Sequence, residues 1–482
     1  MGRRCWITML VIAGCAVLVR IAVALAFPNV AWPDEIFQTA EQAHRIAFGD
    51  GLVPWEFREG ARSWLLPGVL AAIDRASGPA YLPVTVTALA AVSLIPVIAV
   101  FRAVVRRGAL LPAAIAAIVV ASWFELVYYG PKALNEVVAA HLLVGALALL
   151  AFDRTPASRR QLAAAGALAA LAIGLRIHLA PCGLVLLGLA WRRADRRVAP
   201  FVIAGLVVVL GLGALDWVTW GSPFASYVTT IRFNLIEGRS QLFGTSPWWG
   251  YLAALARTWQ LGGLVVLALA LVGARRDRWP LVLAAVILVT HSVIGHKEYR
   301  FIVPAIVLVI YSAGLGAAEL VPRVRRSVAV LCTVAWCALS FGLALRVDTS
   351  MTTLGVQLTG SGWQLDHQRD GLVIMRRAGA LEPLCGLGLV EVPWYLTGGY
   401  TWFDRHVPME SIFDPGVLAR ETAALDALVA PATIAIAPPY TRVGCEGQLC
   451  LWHRDGPCVA PAHDLRDALG DPSPSSVVMP QR

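Results

Sequence analysis

Charge is what this sequence has least of. Only 15% of its 482 residues are Asp, Glu, Lys or Arg, where a soluble domain carries about 25%. With 58% hydrophobic residues and a mean hydropathy of +0.67, this scarcity excludes a cytosolic globular enzyme, a disordered chain and a nucleic-acid binder. It implies a multi-spanning membrane protein. Lysine is nearly missing: 38 of the 40 basic residues are Arg, and the two lysines are Lys132 and Lys297. No glycine-rich nucleotide-binding loop is present either, so a reaction driven directly by ATP is not expected.

What charge there is falls unevenly. Residues 1–347 carry a balance of +15 and residues 348–482 one of −6. Apolar stretches of the ~20 residues needed to cross lipid recur through 5–346. Between them lie Arg3/Arg4, Arg106/Arg107, Arg154 with Arg159/Arg160, Arg192/Arg193 with Arg196/Arg197, Arg275/Arg276/Arg278 and Arg323/Arg325/Arg326. The positive-inside rule puts these clusters in the cytoplasm. The first apolar run is longer than a signal-peptide core of ~7–15 residues and reads as a span. The spacing predicts an all-α polytopic bundle of about eleven transmembrane helices, with the N-terminus inside and the C-terminal segment outside. The short stretches 161–175 and 178–191 read as a hairpin broken near Arg176 and Pro181, and 64–77 as an interfacial helix. The expected domains are a membrane module, 1–347, with external loops 28–80 and 220–258, and an extracytoplasmic domain, 348–482.

That C-terminal segment alternates short apolar runs with Gly/Pro turns. Residues 386–392 and 432–437 read as strands and 412–430 and 463–470 as helices, giving a small α/β domain. Its cysteines, Cys385, Cys445, Cys450 and Cys458, allow three disulfide pairings, with Cys445–Cys450 or Cys450–Cys458 favoured by proximity. The other five cysteines read as small packing groups.

The cytoplasmic links are short, so chemistry is expected outside, where an activated substrate must arrive through the membrane; a lipid-linked sugar phosphate meets that need. The first external loop opens with Asp34-Glu35. Glycosyl transfer to a hydroxyl needs a base, and a partly desolvated carboxylate suits that role. The alternative, an Asp-Glu pair capping the next helix, stays open. The run His296-Lys297-Glu298-Tyr299-Arg300-Phe301 is the densest polar cluster between two apolar spans. Lys297 and Arg300 suit a lipid phosphate acting as leaving group; an outer-leaflet anchor turn is the alternative. Trp248, Trp249 and Tyr251 suit either sugar stacking or interfacial anchoring. Arg176 and His178 either line a cavity or snorkel to headgroups.

Four stretches together resemble the family 22 glycosyltransferases, the polyprenyl-phosphate-mannose-dependent α-mannosyltransferases. They are Trp32-Pro33-Asp34-Glu35 through Gln38, His44, Trp55-Glu56-Phe57 and Arg62-Ser63; Lys132 through Asn135-Glu136; Phe233-Asn234 through Phe243-Gly244-Thr245 and Pro247-Trp248; and His296-Lys297-Glu298-x-Arg300-Phe301. The resemblance implies a GT-C fold and an inverting transfer from a lipid-phosphate β-sugar. It implies Asp34 as catalytic base with Glu35 beside it. It implies a donor-phosphate set of His296, Lys297, Arg300, Arg62 and Lys132. It implies substrate contacts from Gln38, His44, Trp55, Glu56, Asn135, Glu136, Asn234 and Trp248. No metal and no cofactor are predicted. The chain departs from the family at Thr245-Ser246-Pro247-Trp248-Trp249-Gly250-Tyr251, where both histidines of the usual run are missing, and at Lys132, where Arg is usual. Its Ala, Arg and Gly content points to a bacterial cytoplasmic membrane. The expected partners are a polyprenyl-phosphate sugar, a cell-envelope glycan or lipid acceptor and the bilayer, and no nucleic acid. The rival is a transporter or flippase of lipid-linked sugars with an external cap. It calls for internal repeats and mid-membrane charges, and neither is evident. A catalytically dead scaffold is the third reading.

Overall fold

The computed structural model of the chain describes residues 2–106, 110–151, 156–193, 197–346, 364–457, 459 and 463–468. Arg107, Arg154, Arg196, Cys458 and the expected boundary at 347/348 lie outside the described residues. The chain divides into two compact units, Met1–Ala26 with Pro83–Gln364, and Phe27–Leu82 with Leu365–Arg482. The segment 27–82 therefore groups with the C-terminal segment, not with the membrane helices where the expected division places it.

Five helical runs among the described residues are long and apolar enough to cross a membrane: Arg3–Ala26, Leu65–Val105, Ala199–Trp220, Tyr299–Arg323 and Arg326–Ala344. The pair Gly250–Trp259 and Gly262–Ala274, bent by 107°, brings the count to six. The sequence predicts eleven. The difference lies in helices such as Leu110–Ser122, Asn135–Ala151 and Trp279–Val293, which stop short of full length. Expected spans are cut where polar or aromatic groups interrupt the run, as at Trp123, where extended backbone separates Leu110–Ser122 from Phe124–Tyr129. Irregular backbone at such breaks is tolerated only where protein surrounds it, and Trp123 is fully buried.

In the first unit, Val303–Leu320 is the central helix, buried along nearly its whole length. Its closest neighbour approach is made by glycine. A Cβ on Gly273, at the end of the helix Gly262–Ala274, would sit 2.0 Å from the Ser312 carbonyl oxygen, and one on Gly316 would sit 1.9 Å from that of Leu269. The two backbones touch, which lets dispersion forces hold helices together where lipid removes the hydrophobic drive. Gly166 of Arg159–Leu175 plays the same part against Phe201, at 2.1 Å. Arg3–Ala26 instead turns Leu10, Val11 and Leu18 outward, as a lipid-facing helix does.

The second unit contains a five-stranded sheet. Strands β1 (Leu387–Val390), β2 (Met409–Ile412), β3 (Ala427–Pro431), β4 (Thr441–Glu446) and β5 (Leu449–His453) run in the order β2-β1-β3-β5-β4. β1 is parallel to β2 and β3, and β5 is antiparallel to β3 and β4. Two expectations fail here. Residues 427–431, read as helix up to 430, form the central strand, and 432–437, read as strand, carry no strand. Ala427-Leu428-Val429-Ala430 is buried on both faces, and a continuous apolar run has no periodicity to tell strand from helix. Cys445 and Cys450 face each other across β4 and β5 and form a disulfide, so the alternative Cys450–Cys458 pairing falls. Cys385 is also disulfide-bonded.

Residues 27–82 complete this unit's core. Val30, Ile36, Phe37 and Leu52 are buried in one cluster with Leu372, Met375, Leu389, Tyr400, Phe403 and Val429. Glu41 fastens the join. Its carboxylate accepts from the amides of Leu52 (2.9 Å), Tyr400 (2.9 Å) and Thr401 (2.8 Å) and from the Thr401 hydroxyl (2.7 Å). Gly399 has φ +57°, and a Cβ there would lie 2.6 Å from the same carboxylate, so the position admits only glycine.

Candidate active site

In the second unit, Asp34 stands in the first turn of a helical run that starts at Pro33, passes through a π-helical turn at Ile36–Ala40 and continues to Phe48. Proline opens the run because its missing N–H has no partner to lose there. π turns of this kind recur at functional sites. This one carries Gln38, which is buried. Gln38 Nε2 donates to Asp34 Oδ1 and to Glu56 Oε1 (2.7 Å), and Gln38 Oε1 accepts from Arg62 Nε (2.8 Å). The guanidinium on its oxygen and the carboxylates on its nitrogen fix the amide's orientation. Asp34 is half-buried with one oxygen held by an amide. Glu35 points elsewhere: it is 8% exposed, and its Oε2 accepts from the Ala31 amide at 3.0 Å, closing a turn in its own chain.

His44 lies in the unit's interior. Its Nδ1–H donates to the Asp50 carbonyl at 2.8 Å, its Nε2 faces Asp404 at 3.6 Å, and its ring packs on Phe48 and Tyr81. Burial pulls its pKa down, but Asp404, the Asp50 carbonyl and Glu41 outweigh burial and raise it. These contacts give it a packing role. Trp55 is half-buried at the start of the short helix Trp55–Arg58.

In the first unit, the polar turn 296–301 is woven into an alternating chain of charges. Glu136, at the start of the helix Asn135–Ala151, takes Arg176 Nη2 at 2.8 Å and faces Arg300 Nη1 at 3.6 Å. Arg300 Nε donates in turn to Glu298 Oε2, and Glu298 Oε1 pairs with His296 Nε2 at 3.0 Å. His296 Nδ1–H donates to the Gly244 carbonyl at 2.9 Å, and the Ser246 amide donates to the Gly295 carbonyl at 2.9 Å. The segment 244–246 is thus stitched to the turn. Burial works against the Glu298 charge, yet Arg300 and His296 hold its carboxyl well below the usual carboxylate range. Burial also works against charging His296, but Glu298 raises its pKa above the ordinary value.

Lys297 stands apart. It is 5% exposed, and its Nζ donates to the carbonyls of Ser246 (3.1 Å) and Ile294 and lies 5.9 Å from the Tyr251 ring centroid. No carboxylate pairs with it among the described residues. Burial lowers its pKa, and a nearby anion would relieve that penalty. A buried ammonium without a counter-charge is suited to an incoming phosphate.

Residues 11–357 match the Alg9-like mannosyltransferase family. The chain belongs to that family. GPI mannosyltransferase 3 of Yarrowia lipolytica is 28% identical over 323 residues, 64% of this chain and 62% of that protein. The protein of the same name from Drosophila melanogaster is 27% identical over 315 residues, 61% and 54% respectively. The chain thus spans less than two thirds of the length of these curated relatives. The fold is that of ArnT from Cupriavidus metallidurans, solved bound to undecaprenyl phosphate. The TM-score is 0.61 over 94% of this chain and 98% of that one, at 15% identity.

The family's motifs fall into two groups here. Asp34, Glu35, Gln38, His44, Trp55, Glu56 and Arg62 belong to the second unit, with Asp34, Gln38, Glu56 and Arg62 in one hydrogen-bonded set. Lys132, Asn135, Glu136, Asn234, Trp248, His296, Lys297 and Arg300 belong to the first. Lys132 is buried with its ammonium 5.2 Å from the Tyr128 ring centroid. Asn135 begins its helix half-buried. Asn234 donates to the Thr230 carbonyl one turn earlier, and Trp248 is 69% exposed. Sequence reasoning misses the part played by Arg176 and Glu298. Arg176 sits at the break between the short helices Arg159–Leu175 and Ala180–Arg193, and an arginine interrupting two short spans is the available signal.

Proposed function

We propose that the protein is an inverting α-mannosyltransferase. It moves mannose from a polyprenyl-phosphate donor to a hydroxyl of a glycan or glycolipid acceptor, on the outer face of a bacterial cytoplasmic membrane. The observation that carries this reading is Lys297, a buried cation with no carboxylate partner among the described residues, in the run His296-Lys297-Glu298-Tyr299-Arg300-Phe301. The acceptor oxygen attacks the anomeric carbon from the face opposite the phosphate. The bond from that carbon to the phosphate oxygen breaks, and its electron pair leaves with the lipid phosphate. Asp34 takes the hydroxyl proton, and a β-linked donor yields an α-linked product. Lys297 holds the departing phosphate, with Arg300 fixed beside it by two carboxylates; Lys132 and Arg62 are further phosphate contacts. Stabilising charge that develops on a leaving group is where preorganised cations contribute most to rate.

Asp34, not Glu35, is the base, because Glu35 already serves its own backbone. Asp34→Asn should abolish label transfer from polyprenyl-phosphate mannose, by roughly 100-fold or more, at normal expression. Unchanged transfer would overturn the assignment. Failure of the wild-type protein to consume any polyprenyl-phosphate sugar, with envelope extract as acceptor, would remove the reading as a whole.

A further inference from the structure

Glu125 is a fully buried carboxylate that the proposed chemistry leaves unused. It lies in the short helix Phe124–Tyr129 and is 1% exposed. Its neighbours differ in kind from those of Glu136 and Glu298, which each face arginines. Glu125 Oε2 accepts from two indoles, Trp123 Nε1 and Trp259 Nε1, both at 2.8 Å. Its Oε1 accepts from the Tyr299 hydroxyl. All three partners are neutral donors, and both carboxylate oxygens are engaged.

The three donors come from three parts of the chain. Trp123 sits at the break after Leu110–Ser122. Trp259 ends the helix Gly250–Trp259, just before the 107° bend. Tyr299 lies between Glu298 and Arg300 and begins the turn Tyr299–Ile302. The Trp123 ring also meets Trp259 edge-on (centroids 5.8 Å apart) and Trp336 (5.0 Å), and Trp336 Nε1 donates to the Val119 carbonyl. The knot therefore fastens the turn that carries Lys297 to the bent helix pair and to the end of the helix Leu110–Ser122.

We infer that Glu125 is a positioning residue: through Tyr299 it sets the backbone of residues 296–300, and with it where the Lys297 ammonium stands. This rests on the reading of Lys297 as a donor-phosphate ligand. The device works by hydrogen-bond geometry, not by charge. A glutamine reproduces it, because its oxygen takes both indoles while its amide donates to the Tyr299 oxygen, which accepts as readily as it donates. An alanine cannot.

The test uses the full-length protein in detergent or vesicles and compares E125A, E125Q, Y299F and W336F. E125A and Y299F should raise KM for polyprenyl-phosphate mannose and lower kcat as well, together lowering kcat/KM by roughly tenfold, the scale of losing a partner that orients a ligand, because a displaced Lys297 loses hold of the phosphate both before and during its departure. E125Q should stay near wild type. W336F, which loosens the aromatic stack but keeps the Tyr299 bond, should lower Tm without moving KM. Hydrogen–deuterium exchange over 294–301 reads the positioning with no substrate present: exchange should quicken in E125A and Y299F and stay slow in E125Q and W336F. If E125A does not fold, Y299F carries both measurements. Equal defects in E125Q and E125A would overturn the inference, because the charge itself would then matter. Unchanged exchange and KM in Y299F would also overturn it. A wild-type protein that uses no polyprenyl-phosphate donor removes the proposed function, while the exchange data still decide whether Glu125 positions the turn.

Discussion

Asp34 and Glu35 are neighbours in sequence and differ in what holds them. Asp34 is steadied by a glutamine amide that is itself locked by Arg62 and Glu56, while Glu35 closes a turn on Ala31. Glu35→Ala should therefore cost stability, on the order of 1–3 kcal/mol for an orphaned buried amide, measured by thermal unfolding, while the folded fraction keeps its transfer activity. The turn at 296–301 should respond to pH in a fixed direction. His296 has a folded pKa raised above 6.5, so its contribution is complete below 6.5 and lost as pH rises through the raised value. Glu298 has a folded pKa depressed below 4.5, so its contribution is complete above 4.5 and lost as pH falls through the depressed value. The turn should be firmest between 4.5 and 6.5. The Tm difference between wild type and His296→Gln should shrink above that window; a difference independent of pH would contradict it. Asp34 and Lys297 stand out in the sequence because their chemistry is unusual for where they sit. The partnership of Arg176 with Glu136 does not, because an ion pair between positions 40 residues apart is a property of the fold and leaves no local pattern.

Elements are shaped here by what interrupts them. The helix pair Gly262–Ala274 and Val303–Leu320 owes its backbone contact to Gly273 and Gly316. Gly273→Val would force the helices apart, because its Cβ would meet the rigid backbone at Ser312 and Gly316. The expected outcome is loss of the monodisperse peak in size-exclusion chromatography, while Gly188→Val, with open space around it, should behave as wild type. Hydropathy makes helical membrane character plain from sequence, and Arg176 marks the hairpin break. It does not place helix ends, because a window of apolar residues does not register that Trp123 ends one helix or that Gln260, at φ +48°, bends the chain between two others. The sheet is less legible still. β1 reads as a strand because glycines punctuate it, whereas β3 is apolar throughout and borrows its identity from β1 and β5 on either side.

At the scale of the whole molecule, composition marks a more polar C-terminal segment but not its partner. That Val30, Phe37 and Leu52 share a core with Leu372, Leu389 and Val429 is invisible to any local window, because the pairing runs across most of the chain. Ending the protein at residue 347 should leave 27–82 without its core. Limited proteolysis should then cut between Phe48 and Trp64 in the shortened protein and spare the full-length one; equal resistance would contradict the shared core. The Glu41–Tyr400 bond joins residues 359 apart in the chain. At a ribosome's ~5–20 residues per second, the helix bearing Asp34 waits on the order of tens of seconds for the strands it must pack against. On the proposed assignment of Asp34 as base, a carboxylate that emerges early and is packed last should leave chains interrupted before the strands inactive in sugar transfer, so the reaction would begin only once synthesis has finished.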